Sequence, residues 1–146
     1  DLVMQDCLEL GYRTAQRPGD LLKKTKHDYR DGTLMVVQEK TGAKVPIRVH
    51  GRLQIALERA LARPRRIQSI YIVCDENGQR LTYGQFYKRF RKLEVPWQFR
   101  DLRAKGLTDL PDLKHAQRLA GHTTETTTTI YRRATGESID PVDREI

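Results

Sequence analysis

Apolar residues recur at the 3.6-residue spacing of a helix in three long segments of the 146-residue chain. Residues 2–11 and 51–63 each carry an apolar face, and residues 112–120 end at Gly121, a typical C-terminal cap. Pro18 marks the start of another helix, because the first helical turn makes no use of the N–H that proline lacks. The pattern predicts a mainly helical fold.

Two further helices are predicted from local signals rather than from apolar spacing alone. Thr82 and Gln85 have the spacing of a capping box and open a helix that extends to about Leu93. Aromatic residues lie on one side of this helix and basic residues lie on the others. In the next helical segment, Arg100 and Arg103 lie three positions apart and therefore share one face.

A β-hairpin is predicted between the first helices and the helix at 51–63. Residues 33–38 and 44–49 are rich in β-forming residues, and residues 39–43 have the composition of a turn. Lys40 lies near the tip, where a lysine is either merely solvated or free to act on a ligand. Residues 69–73 predict one more short strand. We therefore expect an α+β fold, mostly helical, with a small antiparallel sheet.

The charge balance points to a polyanionic partner. Lys and Arg number 27 against 19 Asp and Glu, a formal net charge of +8, which favours DNA or RNA over a merely soluble basic domain. The chain contains no apolar run long enough to span a bilayer and no signal-peptide pattern, so we expect no membrane association and an intracellular protein. Cys7 and Cys74 are too few and too far apart to suggest a disulfide framework or a zinc site.

Arg17 is the first candidate for binding a phosphate group. It directly precedes Pro18, at a predicted helix start whose backbone N–H groups favour an anion. A guanidinium can hold a phosphate through two hydrogen bonds, and Asp20, one turn further on, could orient this guanidinium or a neighbouring one. The alternative is an ordinary solvated arginine at a helix start.

The segment after Gly121 carries a second group of candidates. His122 lies in the predicted turn between two helices, and Tyr131 follows on the second helix, next to Arg132 and Arg133. A tyrosine with cationic neighbours near a histidine is a plausible nucleophile beside a phosphate-binding surface. The alternative is a buried tyrosine on an amphipathic helix.

These motifs, in this order and spacing, resemble the catalytic domain of the tyrosine recombinases, also called phage-type integrases. The resemblance rests on Gln-Arg17-Pro-Gly-Asp20, Lys40-Thr-Gly, the box Arg100-Asp-Leu-Arg103, Leu-Ala-Gly-His122 and the later Tyr131. It implies that residues 1–146 form a catalytic domain. The family's N-terminal DNA-clamping domain would then be absent, and the chain would be a fragment of a longer protein. Residues 134–146 form a polar C-terminal tail, expected to be either frayed or docked on something absent from this chain.

The resemblance also implies a mechanism, in which DNA strands are cut and rejoined through a 3′-phosphotyrosine without metal, ATP or another cofactor. The family most often has histidine where this chain has Arg100; arginine cannot carry a proton near neutral pH, so we assign Arg100 phosphate binding alone. The implied roles are Tyr131 as nucleophile, Lys40 as general acid, Arg17, Arg100, Arg103 and His122 as phosphate ligands, and Lys105 and Arg132 as further DNA contacts.

Double-stranded DNA is the expected partner, bound by a homotetramer, with accessory DNA-bending proteins; the isolated fragment is expected to be a monomer. The expected location is the cytoplasm of a bacterial or phage-infected cell. Three alternatives stay open: a type IB topoisomerase, a DNA-binding module that has lost catalysis, and a basic structural domain.

Overall fold

The computed structural model describes residues 1–121 and 138–145. The predictions for His122, Tyr131 and Arg132 lie outside the described residues. Within them, the predicted helices are confirmed and none has both the length and the apolar character to cross a lipid bilayer. The α-helices are α1 (Leu2–Thr14), α2 (Pro18–Leu22), α3 (Gly51–Ala62), α4 (Tyr83–Arg91), α5 (Phe99–Asp109) and α6 (Leu113–Ala120).

The predicted hairpin forms two strands of a three-stranded antiparallel sheet. The strands are β1 (Tyr29–Arg30), β2 (Thr33–Val37) and β3 (Lys44–Arg48), in that spatial order. Leu34 pairs with Ile47 and Val36 with Val45, and all four side chains are buried. The two-residue β1 was not predicted, because a strand that short has no alternating pattern to detect.

Helix α1 is the centre of the core and packs against α3 and α5. Its approach to α5 depends on Gly11, since a Cβ there would lie 2.5 Å from the Phe99 ring. Phe99 is buried and meets Phe86 of α4 edge to face, with ring centroids 4.9 Å apart. This packing fixes the start of α5, which carries Arg100 and Arg103.

The local capping signals act as predicted. The Thr82 hydroxyl accepts from the N–H of Gln85, and the Gln85 side chain accepts from the N–H of Thr82. Pro18 is the first residue of α2. Gly121 ends α6 with a left-handed backbone, φ 78°.

The prediction of a strand at residues 69–73 is wrong. Within that segment, Tyr71 forms a single isolated bridge with Thr25, and no strand is formed. The Arg65 guanidinium donates to the carbonyl oxygens of Tyr71 and Ile72, at 2.9 and 2.7 Å. A side chain thereby occupies backbone acceptors that a neighbouring strand would need.

The expectation for the C-terminal tail is also wrong over residues 138–145, which dock on their own chain. The Ile139 N–H donates to Pro46 of β3, and the Val142 N–H donates to the carbonyl of Arg13 in α1. Both apolar side chains are fully buried, and the Asp143 carboxylate accepts from the N–H of Arg52 at the start of α3. Three buried residues, Ile139, Pro141 and Val142, together with these hydrogen bonds, hold the otherwise polar segment in place.

This docking predicts that Ile139 contributes to stability. We expect Ile139→Ala to lower the free energy of unfolding by about 2–5 kcal/mol, as is typical for a buried isoleucine. Ile55→Ala is the matched control, because Ile55 is 66% exposed and exposed sites usually change stability by less than about 0.5 kcal/mol. Urea denaturation followed by circular dichroism measures both. Equal values for the two variants would contradict the docking.

Candidate active site

An open pocket of about 640 Å³ brings together four of the predicted site residues. Arg17, Lys40, Arg100 and Arg103 all line it. Arg17 comes from the start of α2, Lys40 from the turn between β2 and β3, and the other two from one face of α5. The packing of the core therefore gathers cations that are far apart in the sequence.

Arg17 has a donor group that no described residue binds. It lies at the N-cap of α2 in an extended conformation, with φ −70° and ψ 148°. Its Nη1 atom is buried, and within the described part of the chain it has no hydrogen-bond partner. A buried guanidinium nitrogen without an acceptor is unusual, and an anion in the pocket would satisfy it.

Asp20 does not orient Arg17 as the sequence suggested. Its Oδ1 atom accepts from the backbone N–H of Glu39 at 3.0 Å, in the turn that carries Lys40. Its Oδ2 atom is buried and has no partner among the described residues. Asp20 therefore fixes the hairpin turn, and its second oxygen remains available to a donor in the pocket.

Arg103 joins the ends of two helices at the inner wall of the pocket. Its Nη1 donates to the carbonyl of Ala15 at 2.7 Å, and its Nη2 donates to the carbonyl of Ala120 at 2.9 Å. Burial, and next the neighbouring Arg17 charge, lower the pKa of Arg103 to about 10, while Asp20 acts in the opposite direction. Arg103 is still protonated at neutral pH, but Asp20 compensates its positive charge only in part.

Lys40 and Arg100 form the outer, solvent-exposed part of the basic lining. The turn before Lys40 is held by an ion pair between Lys23 and Glu39, which lowers the pKa of the Glu39 carboxyl. Arg100 lies one turn before Arg103 on α5. Both exposed side chains can move toward a bound ligand without losing a described hydrogen bond.

Tyr83 and Tyr87 also line the pocket, and the sequence analysis did not single them out. Their hydroxyl groups are 3.2 Å apart, and their rings meet edge to face at 4.7 Å. Burial, and next the hydrogen bond shared with Tyr83, raise the pKa of Tyr87 to about 12. The sequence places these two tyrosines four positions apart on a predicted helix. Aromatic residues that pack in a hydrophobic core have the same spacing, so the spacing alone does not identify a site.

Lys105 lies away from the pocket, although we predicted it as a DNA contact. It pairs with Asp109 at 3.1 Å, and the same carboxylate accepts from the Tyr12 hydroxyl. His122 and Tyr131 are not among the described residues; the described chain before them ends at Gly121, next to the Ala120 carbonyl that Arg103 binds.

The chemistry of the pocket suits a phosphate diester. Guanidinium groups bind phosphate oxygens with paired hydrogen bonds. Arg100 and Arg103 line the same pocket as Arg17, whose Nη1 atom has no partner among the described residues. Among residues 1–121 and 138–145, no three His, Cys, Asp or Glu side chains come together as metal ligands.

A model of the phage integrase family matches residues 1–137 of the chain. The integrase of Escherichia phage lambda is 30% identical over 156 residues, and the match covers 93% of this chain and 43% of the relative. The integrase of Enterobacteria phage 434 matches with the same figures. The chain thus spans less than half the length of these relatives.

Solved structures show the same fold. The catalytic core of lambda integrase superposes with a TM-score of 0.68 at 27% identity, over 84% of each chain. A lambda integrase tetramer bound to a Holliday junction superposes with a TM-score of 0.72 at 25% identity, over 86% of this chain and 42% of that one. The expected α+β fold, mostly helical with a small antiparallel sheet, is confirmed.

The electrostatics of the pocket predict opposite effects of two substitutions on Arg103. Arg17→Gln removes a like charge and should raise the pKa of Arg103, whereas Asp20→Asn removes an opposite charge and should lower it. Lys105→Gln, on the same helix but outside the pocket, should leave the pKa unchanged. The ¹³Cζ resonance of Arg103, followed from pH 8 to 12, measures all three. Shifts of the same sign for the first two variants would contradict this description of the pocket.

Proposed function

The chain belongs to the phage integrase family of tyrosine recombinase enzymes, and on that premise we propose that it cuts and rejoins DNA strands as the catalytic domain of a site-specific recombinase. The observation that carries the proposal is the convergence of Arg17, Lys40, Arg100 and Arg103 on one pocket. These are the residues to which the resemblance assigns phosphate binding and acid catalysis.

The group bound in the pocket would be one phosphodiester of the DNA backbone. Its transition state gathers negative charge on the non-bridging oxygens, and fixed cationic donors stabilise that charge more than mobile water does. The buried Nη1 atom of Arg17 has no partner in the described structure, and Arg103 has a lowered pKa, so both gain from an arriving anion. Removing one such donor typically costs about 2.7–4 kcal/mol of barrier.

Tyr131 would be the nucleophile. Its hydroxyl oxygen attacks phosphorus and forms the 3′-phosphotyrosine bond, while the bond from phosphorus to the 5′-oxygen breaks. His122 would donate to the phosphate and assist removal of the phenolic proton, because a free tyrosine with a pKa of about 10 is mostly protonated at neutral pH. Arg132, next to the nucleophile, would contact the DNA backbone.

Lys40 would act as general acid and give a proton to the departing 5′-oxygen. Its exposed position on the hairpin tip, with the turn held by Asp20, supports that role. The phosphotyrosine keeps the energy of the original bond, so a second 5′-hydroxyl can reverse the step on a new strand without ATP. Arg100 would bind phosphate only, since arginine does not release a proton near neutral pH.

Double-stranded DNA is the proposed partner, in agreement with the net charge of +8. We propose a homotetramer on DNA, because a structural neighbour is an integrase tetramer bound to a Holliday junction. The chain would be the catalytic domain of a longer protein whose DNA-clamping domain lies outside these residues, with accessory DNA-bending proteins assisting it. It would act in the cytoplasm of a bacterial or phage-infected cell, with Lys105 contacting DNA outside the pocket.

Two other functions would use the same pocket. A type IB topoisomerase shares the chemistry but relaxes one DNA molecule, whereas a recombinase also joins strands of two molecules. A DNA-binding module that has lost catalysis would bind DNA without a covalent step. The box Arg100-Asp-Leu-Arg103 favours the recombinase.

The proposed nucleophile predicts a covalent adduct that depends on Tyr131. In EDTA, the wild type should form a protein–DNA adduct that survives a denaturing gel. Tyr131→Phe should abolish the adduct and change DNA affinity by less than about threefold, because only the attacking oxygen is lost. Tyr71→Phe, outside the pocket, is the matched control and should retain the adduct.

An adduct in Tyr131→Phe would identify another residue as the nucleophile. An adduct that forms only when a divalent metal is added would contradict the metal-free mechanism. DNA binding without an adduct, in the full-length protein, would favour the binding module. Relaxation of plasmid without joining of two DNA molecules would favour the topoisomerase.

A further inference from the structure

Two buried glutamines form a hydrogen-bonded cluster behind the pocket. Gln16 and Gln38 are 0% and 1% exposed. The Gln38 Nε2 donates to the Gln16 Oε1 at 2.9 Å and to the carbonyl of Ala120 at 2.9 Å. The Gln16 Nε2 donates to the carbonyls of Thr14 and Leu119, at 2.9 and 2.7 Å. The cluster therefore joins the end of α1, the end of β2 and the end of α6.

The surrounding acceptors fix the orientation of both amides. A backbone carbonyl can only accept, so the Nε2 of Gln38 must face Ala120, and the Nε2 of Gln16 must face Leu119 and Thr14. The Gln38 Oε1 is then free to accept from the Thr41 hydroxyl, which lies 2.8 Å away. All N–H groups of the two amides are used, and each amide oxygen accepts a hydrogen bond.

The cluster connects the hairpin that carries Lys40 with the chain that leads to His122. Thr41 directly follows Lys40 and is hydrogen-bonded to Gln38. The Ala120 carbonyl accepts from Gln38 and also from Arg103. The buried Gln38 side chain is therefore hydrogen-bonded both to Thr41, the neighbour of Lys40, and to the Ala120 carbonyl, which also accepts from Arg103.

Gly121 shows how closely Gln38 fits the end of α6. A Cβ at this position would lie 2.5 Å from the Gln38 Oε1 and 2.7 Å from its Nε2. The backbone of Gly121 is also left-handed, with φ 78°. The Gln38 amide thus packs directly against the turn that leads out of α6, with no room for a side chain between them.

We propose that Gln38 is a positioning residue, which holds the Lys40 turn at a fixed place relative to Arg103 and the end of α6. Lys40 and Thr41 are both exposed, and the turn is closed at the surface by the Lys23–Glu39 ion pair and by backbone hydrogen bonds of Gln38. Two buried side chains connect this turn to the interior. Asp20 accepts from the N–H of Glu39, and the Gln38 Oε1 accepts from the Thr41 hydroxyl. The inference rests on the proposed role of Lys40 as general acid.

A purely structural role for Gln38 would affect every step of the reaction alike. A positioning role acts through Lys40 and should affect protonation of the departing 5′-oxygen most. DNA with a sulfur in place of that 5′-oxygen separates the two cases. A thiol has a pKa of about 8.5, so its anion leaves without a proton, whereas a 5′-hydroxyl needs one.

The test measures single-turnover cleavage by the full-length protein on matched 5′-oxygen and 5′-sulfur substrates, at a position mapped from wild-type adducts. Gln38→Met keeps the size of the side chain and removes its hydrogen bonds. Thr41→Val removes only the surface hydroxyl that binds Gln38 and Ala43, so it tests the link even where Gln38→Met is poorly folded. Gln54→Met, on the exposed face of α3, is the matched control.

We expect Gln38→Met and Thr41→Val to cleave the 5′-oxygen substrate at least about tenfold more slowly, a part of the 10²–10⁴-fold that a general acid typically contributes. Both should return to within about threefold of the wild type on the 5′-sulfur substrate. Thr41→Ser keeps the hydroxyl and should behave as wild type on both. Gln54→Met should be unchanged.

Lys40→Ala and Arg103→Ala calibrate the outcome. The 5′-sulfur substrate should restore the cleavage rate of Lys40→Ala. It should not restore the rate of Arg103→Ala, because the Arg103 side chain acts on the phosphate. If the 5′-sulfur substrate restores the cleavage rate of Lys40→Ala but not those of Gln38→Met and Thr41→Val, the inference is overturned and the proposed function stays intact. If the 5′-sulfur substrate does not restore the rate of Lys40→Ala, Lys40 is not the general acid, and the inference falls with that role.

Discussion

The site depends on the contact of the Arg103 guanidinium with two helix ends. The last carbonyls of a helix lack backbone donors, and the negative end of the helix dipole lies there, so a cation is favoured at that position. Arg103 binds the carbonyl of Ala15 after α1 and that of Ala120 at the end of α6. Ala15 has a left-handed backbone, φ 54°, a conformation that costs a non-glycine residue about 1–3 kcal/mol and needs such support. Two of the five guanidinium N–H groups bind these carbonyls, and no residue in the described part of the chain accepts from the other three.

Arg103 is also central to the electrostatic state of the pocket. Arg103 and Arg17 both face the pocket, and their like charges repel. Burial and this repulsion lower the pKa of Arg103, and the nearby Asp20 carboxylate offsets the repulsion only in part. Arg17 Nη1 and Asp20 Oδ2 are buried without partners in the described structure. A protein rarely leaves both a donor and an acceptor unsatisfied in one place, and an anionic ligand with a mobile cation such as Lys40 would satisfy them together. This arrangement supports the proposal that an anionic group binds in the pocket.

Local signals in the sequence were sufficient for most helices and for the hairpin, whereas the basic residues that line the site were grouped by the resemblance to the tyrosine recombinases. The capping box at Thr82, Pro18 at a helix start and Gly121 at a helix end each act within a few residues, so a single sequence reveals them. The errors concern contacts between distant segments. Arg65 occupies the carbonyls near Tyr71, Asp20 binds the Glu39 N–H instead of Arg17, and Ile139 bonds to β3. The glutamine cluster carries no charge and no motif, so nothing in the pattern distinguishes Gln38 from a surface glutamine. The roles of His122 and Tyr131 stay predictions.

The proposed function requires that a DNA phosphate bind between Arg17 and Arg103. A crystal structure of the protein with nicked duplex DNA and vanadate tests this binding mode, because vanadate takes the five-coordinate geometry of the transition state. We expect vanadium in this pocket, with Arg17 Nη1 within about 3.2 Å of one of its oxygens and Arg103 on another. Vanadate and DNA bound on a different face, with Arg17 Nη1 still unpartnered or paired to a protein group, would rule this binding mode out.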